Sequence, residues 1–168
     1  MRHLDKIIIH CSATKEGKDF RAKDIEQWHK QQGFGFTTPP GIKNPSNFSH
    51  IGYHYVIDLD GFVEYGRPME LQGAHCKGQN SSSVGICYIG GLDSEGNPKN
   101  TMTPEQEKSL VALIYELLAA HPNLSVHGHN EFAAKACPCF DVQRWAQAYS
   151  RIDNNNHRYR RKPSTKKQ

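Results

Sequence analysis

No stretch of the 168-residue chain is long and apolar enough to cross a bilayer as a helix. The first residues offer only Ile7, Ile8 and Ile9 as an apolar run before His10, too few for the core of a secretion signal. The protein is therefore expected to be made and kept in the cytosol until something else releases it. The cysteines number five. An odd count without a secretion signal argues against a disulfide framework and leaves free or metal-bound thiols. No internal repeat is evident, and the length suits one domain with a sizeable core rather than two. The body also lacks positive charge: the formal net charge is +4, but Arg158, Arg160, Arg161, Lys162, Lys166 and Lys167 supply six positive charges near the C-terminus with no acid among them. Removing those six leaves −2, so the body has no reason to carry the basic face of a nucleic-acid binder. The expected division is a domain over 1–152 and a basic tail over 153–168 that cannot bury enough apolar surface to order itself. From His157 on, that tail reads either as an arm drawn to anionic surfaces or as a solubilising or incidental extension.

What is present is concentrated between His127 and Asp141. Those fifteen positions hold His127, His129, Cys137, Cys139 and Lys135. Imidazole nitrogen and thiolate sulfur are the ligands zinc prefers; a catalytic zinc takes three from the protein and a structural one takes four. A further donor lies far upstream, where the β-branched run Ile7-Ile8-Ile9 ends in His10. Two readings follow. His127, His129, Cys137 and Cys139 would make a closed structural site, but their single-residue gaps match none of the usual zinc-ribbon spacings and leave His10 unexplained. His10, His129 and Cys137 would instead make a three-ligand site with an open position.

The rest of the chain alternates strands and helices. Ile7–His10 reads as a strand, polar 14–18 as a loop, and Ala22–Gln32 as a helix stopped by Gly33, with Ile25, Trp28 and His29 along one edge. The segment 34–49 holds too many glycines, prolines and asparagines for regular structure, and reads as a groove wall or a plain loop. Tyr53–Leu59, the Asp60-Gly61 turn and Phe62–Tyr65 give a hairpin, and Val84–Ile89 a third strand. Thr103-Pro104-Glu105-Gln106 is a capping box with proline at the first helical position, followed by the apolar stripe Leu110, Leu113, Ile114, Leu117 and Leu118. Leu124–His127 reads as a short strand, and Asp141 as the cap of a last helix. The expected class is α/β, a single domain with a mixed central sheet flanked by helices.

These motifs resemble the type 2 N-acetylmuramoyl-L-alanine amidases, a family that includes phage-lysozyme amidases and animal peptidoglycan recognition proteins. The resemblance rests on His10 in Ile-His-Cys-Ser-Ala-Thr, on Gly52-Tyr53-His54-Tyr55-Val56-Ile57, on Gly73-Ala74-His75-Cys76-Lys77-Gly78 with Asn80, on Val84-Gly85-Ile86-Cys87, and on Gly128-His129 with Lys135-Ala136-Cys137-Pro138. It implies one zinc ion held by His10, His129 and Cys137 in a groove at one end of the sheet. Tyr53 and Lys135 are then the catalytic side chains, and His75, Arg67 and Asn80 position substrate. Because neighbours on a strand face opposite ways, only one of Tyr53 and His54 can look into the site, and the resemblance selects Tyr53. The implied activity is peptidoglycan hydrolysis at the amide between N-acetylmuramic acid and L-alanine, by a monomeric phage or prophage endolysin that reaches the wall after release. The alternative is a member that binds peptidoglycan without cutting it.

Overall fold

The computed structural model describes residues 1–156, so the basic arm from His157 lies outside the described residues. Its elements are β1 (Lys6–Cys11), β2 (Thr14–Lys15), α1 (Ala22–Gln31), β3 (Tyr55–Ile57), β4 (Val63–Tyr65), β5 (Ser83–Tyr88), β6 (Gly91–Leu92), α2 (Pro104–Ala120), β7 (Ser125–Gly128) and α3 (Val142–Ala146). The main sheet runs β4-β3-β5-β1-β7. β1 is parallel to β5 and β7, and β3 is parallel to β5, while the β3–β4 hairpin is antiparallel. This is the mixed sheet expected from the order of elements.

The central place of β1 explains its composition. With a strand on each side and helices over both faces, Ile7, Ile8 and Ile9 are all fully buried, which is why the run is apolar without alternation. Ile7, Ile9, Val84, Ile86, Tyr88 and Val126 form one face, packed with Leu110, Leu113, Ile114 and Leu117 of α2 and with Val142 and Ala146 of α3. Val56, Cys87 and Ile89 line the other face with Ala22 and Ile25 of α1. Alternation then turns His10 towards the α1 face. Register places His10 opposite Cys87 and Ile9 opposite Gly128, so the strand ends carrying His10 and His129 lie side by side.

The α2 cap forms as its residues dictate: Thr103 Oγ1 accepts from the Gln106 amide at 3.0 Å and Gln106 Oε1 accepts from the Thr103 amide at 3.0 Å. The same Gln106 is buried, and its Nε2 donates to the carbonyls of Ile57 and Ile89, tying α2 to the sheet. Asp141 caps α3 through the Arg144 amide at 3.1 Å. The strand expected over Tyr53–Leu59 is shorter, pairing only at Tyr55–Ile57. Thr14–Lys15, expected as loop, pairs with Gly91–Leu92 in a separate two-stranded sheet. Two-residue strands leave no periodicity to read.

Asp58, at the turn of the hairpin, is fully buried, and its Oδ1 has no hydrogen-bond partner. Desolvation and the neighbouring Glu64 carboxyl push it up to about 8. A carboxyl raised in the fold costs stability as pH rises through the interval from its unfolded value near 3.8 to 8, and that cost is absent below the interval. Asp58→Asn is therefore expected to raise Tm at pH 9 by about 2–4 °C, on the order of 1 kcal/mol for a domain of this size, and to leave it unchanged or lower at pH 4. Thermal melts at the two pH values check the sign.

Candidate metal centre and its surroundings

Three side chains from distant segments converge at the ends of β1 and β7. The donor atoms of His10, His129 and Cys137 all lie within 4.8 Å of one another, and among the described residues no other group of three such side chains meets this way. Cys137 Sγ is 3.8 Å from His10 Nδ1, and the two imidazole rings are 4.6 Å apart. His127 and Cys139 are directed elsewhere. His127 bonds Glu131 through Nδ1 at 2.9 Å and Ser125 through Nε2 at 2.6 Å, and Cys139 Sγ faces Cys11 Sγ at 3.8 Å. The closed four-ligand arrangement is thus not assembled.

Each candidate ligand is held by backbone or a bonded partner. His10 lies near the end of the buried strand β1, and His129 opens a short 3-10 turn directly after β7. The segment carrying Cys137 is anchored beside its own thiol, where the Tyr88 hydroxyl donates to the Pro138 carbonyl at 2.7 Å and the Cys11 amide donates to Cys137 Sγ at 3.3 Å. Burial, with His75, His129 and Lys135 nearby, holds His10 well below the usual imidazole range. Burial and then Lys135 lower His129 in the same direction. Both rings are therefore neutral at pH 7, the state in which imidazole binds a metal.

Tyr53 turns towards His10, whereas His54 turns to the Gly85 backbone, although both precede the paired residues of β3. The Tyr53 ring lies 5.0 Å from that of His10 and 5.3 Å from that of His29. Burial pushes its phenol well above the usual range, so it stays protonated. His54 is fixed in the sheet instead, its Nδ1 accepting from the Gly85 amide at 3.0 Å. Lys135 is exposed on the loop two residues before Cys137, close enough for its charge to act on both His10 and His129.

His75, Arg67 and Asn80 stand behind this set. His10 Nε2 and His75 Nδ1 share a hydrogen bond of 2.8 Å, which leaves His10 Nδ1 for the centre. His75 Nε2 reaches Ser83 Oγ at 3.3 Å, and that hydroxyl donates to the Gln79 carbonyl at 2.7 Å. The ring lies against the bare backbone of Gly85, where a Cβ would sit 2.7 Å from it. A glycine in a buried strand marks such a close approach. Asn80 Oδ1 accepts from the amides of His75 and Cys76, both at 2.9 Å, and so sets the loop that carries the ring. Arg67 is buried; it donates to the carbonyls of Ile51, Gln72 and Phe34 and stacks on Phe36 at 4.4 Å. It braces the 34–52 segment and turns its donors into the protein.

Sequence reasoning missed His29, read there as part of an apolar helix edge. It is buried, its Nδ1 accepts from the Gly52 amide at 2.8 Å, and burial followed by the Arg67 charge lowers it to about 4. It therefore fixes the backbone immediately before Tyr53. Glu26, one turn earlier in α1, accepts from the amides of Ser49, His50 and Ile51 and closes the same loop. An imidazole and a carboxylate on the buried edge of an amphipathic helix were the available signals.

A ring that orients a metal ligand through its second nitrogen contributes to affinity without touching the ion. His75→Ala is expected to weaken metal binding about 10–100-fold with little change in circular dichroism. Competition against a chelator measures it, and unchanged affinity would remove His75 from this role.

The arrangement agrees with what the chain is similar to. A sequence profile described as N-acetylmuramoyl-L-alanine amidase matches residues 1–140. The endolysin of Enterobacteria phage K11 is 41% identical over 146 residues, covering 87% of this chain and 87% of the relative. Among solved structures, the N-acetylmuramoyl-L-alanine amidase LysC from Clostridium intestinale URNW superposes with a TM-score of 0.62 at 27% identity, covering 82% of this chain and 77% of that one. Drosophila PGRP-LB shares the fold at a TM-score of 0.68 and 20% identity, over 90% and 84% of the two chains.

Proposed function

The chain belongs to the N-acetylmuramoyl-L-alanine amidase family, and from that premise we propose that it hydrolyses the bond between the lactyl group of muramic acid and L-alanine, as an endolysin, with one zinc ion held by His10, His129 and Cys137. The observation that carries the metal assignment is the convergence of two neutral imidazoles and a thiol within 4.8 Å. Zinc takes nitrogen at about 2.0–2.1 Å and sulfur at about 2.3 Å, so three donors this close can meet one ion after small side-chain adjustments. A zinc ion with two neutral ligands and one thiolate keeps net positive charge and supplies Lewis acidity towards water and a carbonyl oxygen.

The protein's own groups do the rest. Hydrolysis of an amide needs a proton delivered to a poor leaving nitrogen; we assign that task, or the orienting of the attacking water, to the protonated Tyr53, whose ring lies 5.0 Å from that of His10 and 5.3 Å from that of His29. Lys135, on the open side, brings a cation towards the oxyanion that forms when the carbonyl is attacked. His75 fixes which nitrogen of His10 faces the centre. A peptidoglycan-binding member that does not cut would have no use for this complete set, which favours the hydrolase.

The reading is tested by digesting purified peptidoglycan with protein of known metal content. One zinc per chain, new L-alanine amino termini and no new reducing sugars are expected. New reducing ends would instead mean that a glycosidic bond is cut.

A further inference from the structure

Two thiols outside the ligand set touch each other. Cys11 Sγ and Cys139 Sγ are 3.8 Å apart although 128 positions separate them in the chain. Their contact is closed by the backbone of Gly91 at φ +103°, where a Cβ would lie 2.4 Å from Cys11 Sγ and 3.6 Å from Cys139 Sγ. Only glycine leaves both sulfurs room. Cys11 is buried, whereas Cys139 is partly exposed, so a reagent from solvent meets Cys139 first. Cys137 also lies against Cys11, its Sγ accepting from the Cys11 backbone amide at 3.3 Å and bordering the Cys11 thiol, and it is 3.8 Å from His10 Nδ1.

We propose that Cys11 and Cys139 are a thiol–disulfide modification site that closes by exchange with a small-molecule or protein disulfide. Cys139 Sγ attacks one sulfur of the incoming disulfide, and its proton goes to the thiolate released from the other sulfur. Cys11 loses its proton, attacks Cys139 Sγ and releases the second. Two protein thiols and one disulfide become one protein disulfide and two small thiols, so the incoming disulfide is the oxidant and is reduced. The sulfurs must close from 3.8 Å to about 2.05 Å.

The cross-link has a direct bearing on the centre. Cys11 immediately follows His10, and Cys139 stands two residues after Cys137, so the bond staples the strand bearing one ligand to the loop bearing another. It also closes a loop of nearly the whole domain, which restricts the unfolded chain. On the reading above that the enzyme acts on the wall, the thiols would stay free in the reducing cytosol and pair after release into an oxidising compartment.

The test uses full-length, metal-loaded protein incubated with oxidised glutathione, long enough for a buried thiol to react. Non-reducing peptide mapping is expected to recover Cys11 linked to Cys139 with the loss of two hydrogens. Tm is expected to rise by about 5 °C or more, and a chelator to strip the metal several-fold more slowly. Cys139→Ser should abolish all three changes, and Cys11→Ala should trap glutathione on Cys139. A cross-link through Cys137, or a stable glutathione adduct on Cys139 while Cys11 is intact, would overturn the proposal. Peptide mapping reads the thiols alone, so it stands or falls separately from amide cleavage.

Discussion

Cys137→Ala is expected to lose the metal and with it at least about a thousandfold in turnover, while Cys139→Ala keeps both. The two thiols lie two residues apart on one loop, yet they are directed differently: Cys137 Sγ is 3.8 Å from His10 Nδ1, and Cys139 Sγ is 3.8 Å from Cys11 Sγ. Removing one of three protein ligands takes away the Lewis acid, whose contribution of several kcal/mol corresponds to three or more powers of ten in rate. The fold should survive, because the loop is fastened by Tyr88 to the Pro138 carbonyl and the Cys137 thiol is only half-buried. Metal content by elemental analysis and wall hydrolysis, measured on both variants, decide the matter. The opposite pattern would make Cys139 the ligand.

Tyr53→Phe and Lys135→Ala are each expected to keep stoichiometric metal and lose about two to four powers of ten in kcat, the usual size of general acid–base and oxyanion contributions. Tyr53→Phe removes a single oxygen from a ring packed between His10 and His29, so packing is retained while the proton is lost. Because burial pushes the phenol well above its usual range, Tyr53 is protonated at neutral pH, as a proton donor must be. Lys135 is exposed, and its removal creates no cavity. Turnover at the wild-type level in either variant would take that residue out of the mechanism.

The two outcomes together separate holding a metal from using it. His10, His129 and Cys137 were legible because donor type is written in the side chain, and because a β-branched run ending in histidine and a Gly-His after a short strand both place a donor at a strand end. The capping box of α2, the Asp60-Gly61 hairpin and the apolar stripe were legible for the same reason: they depend on residues within a turn or two of each other.

What the sequence alone determined, then, is chemistry that is local: which residue types are present, which short segments form helix or strand, and which face a side chain takes. Tertiary structure alone decided the contacts between distant segments. It set His75 against His10 rather than in open solvent, turned the donors of Arg67 inward onto three carbonyls, gave His29 to the Gly52 amide, and put Cys139 against Cys11 rather than His10. A polar side chain buried in a fold takes whatever partner the packing brings within hydrogen-bonding reach, because leaving it unpaired costs more than the net gain of most single bonds. That partner is fixed by the register of the sheet and the path of the loops over it, and neither is encoded within the few residues that surround the side chain in sequence.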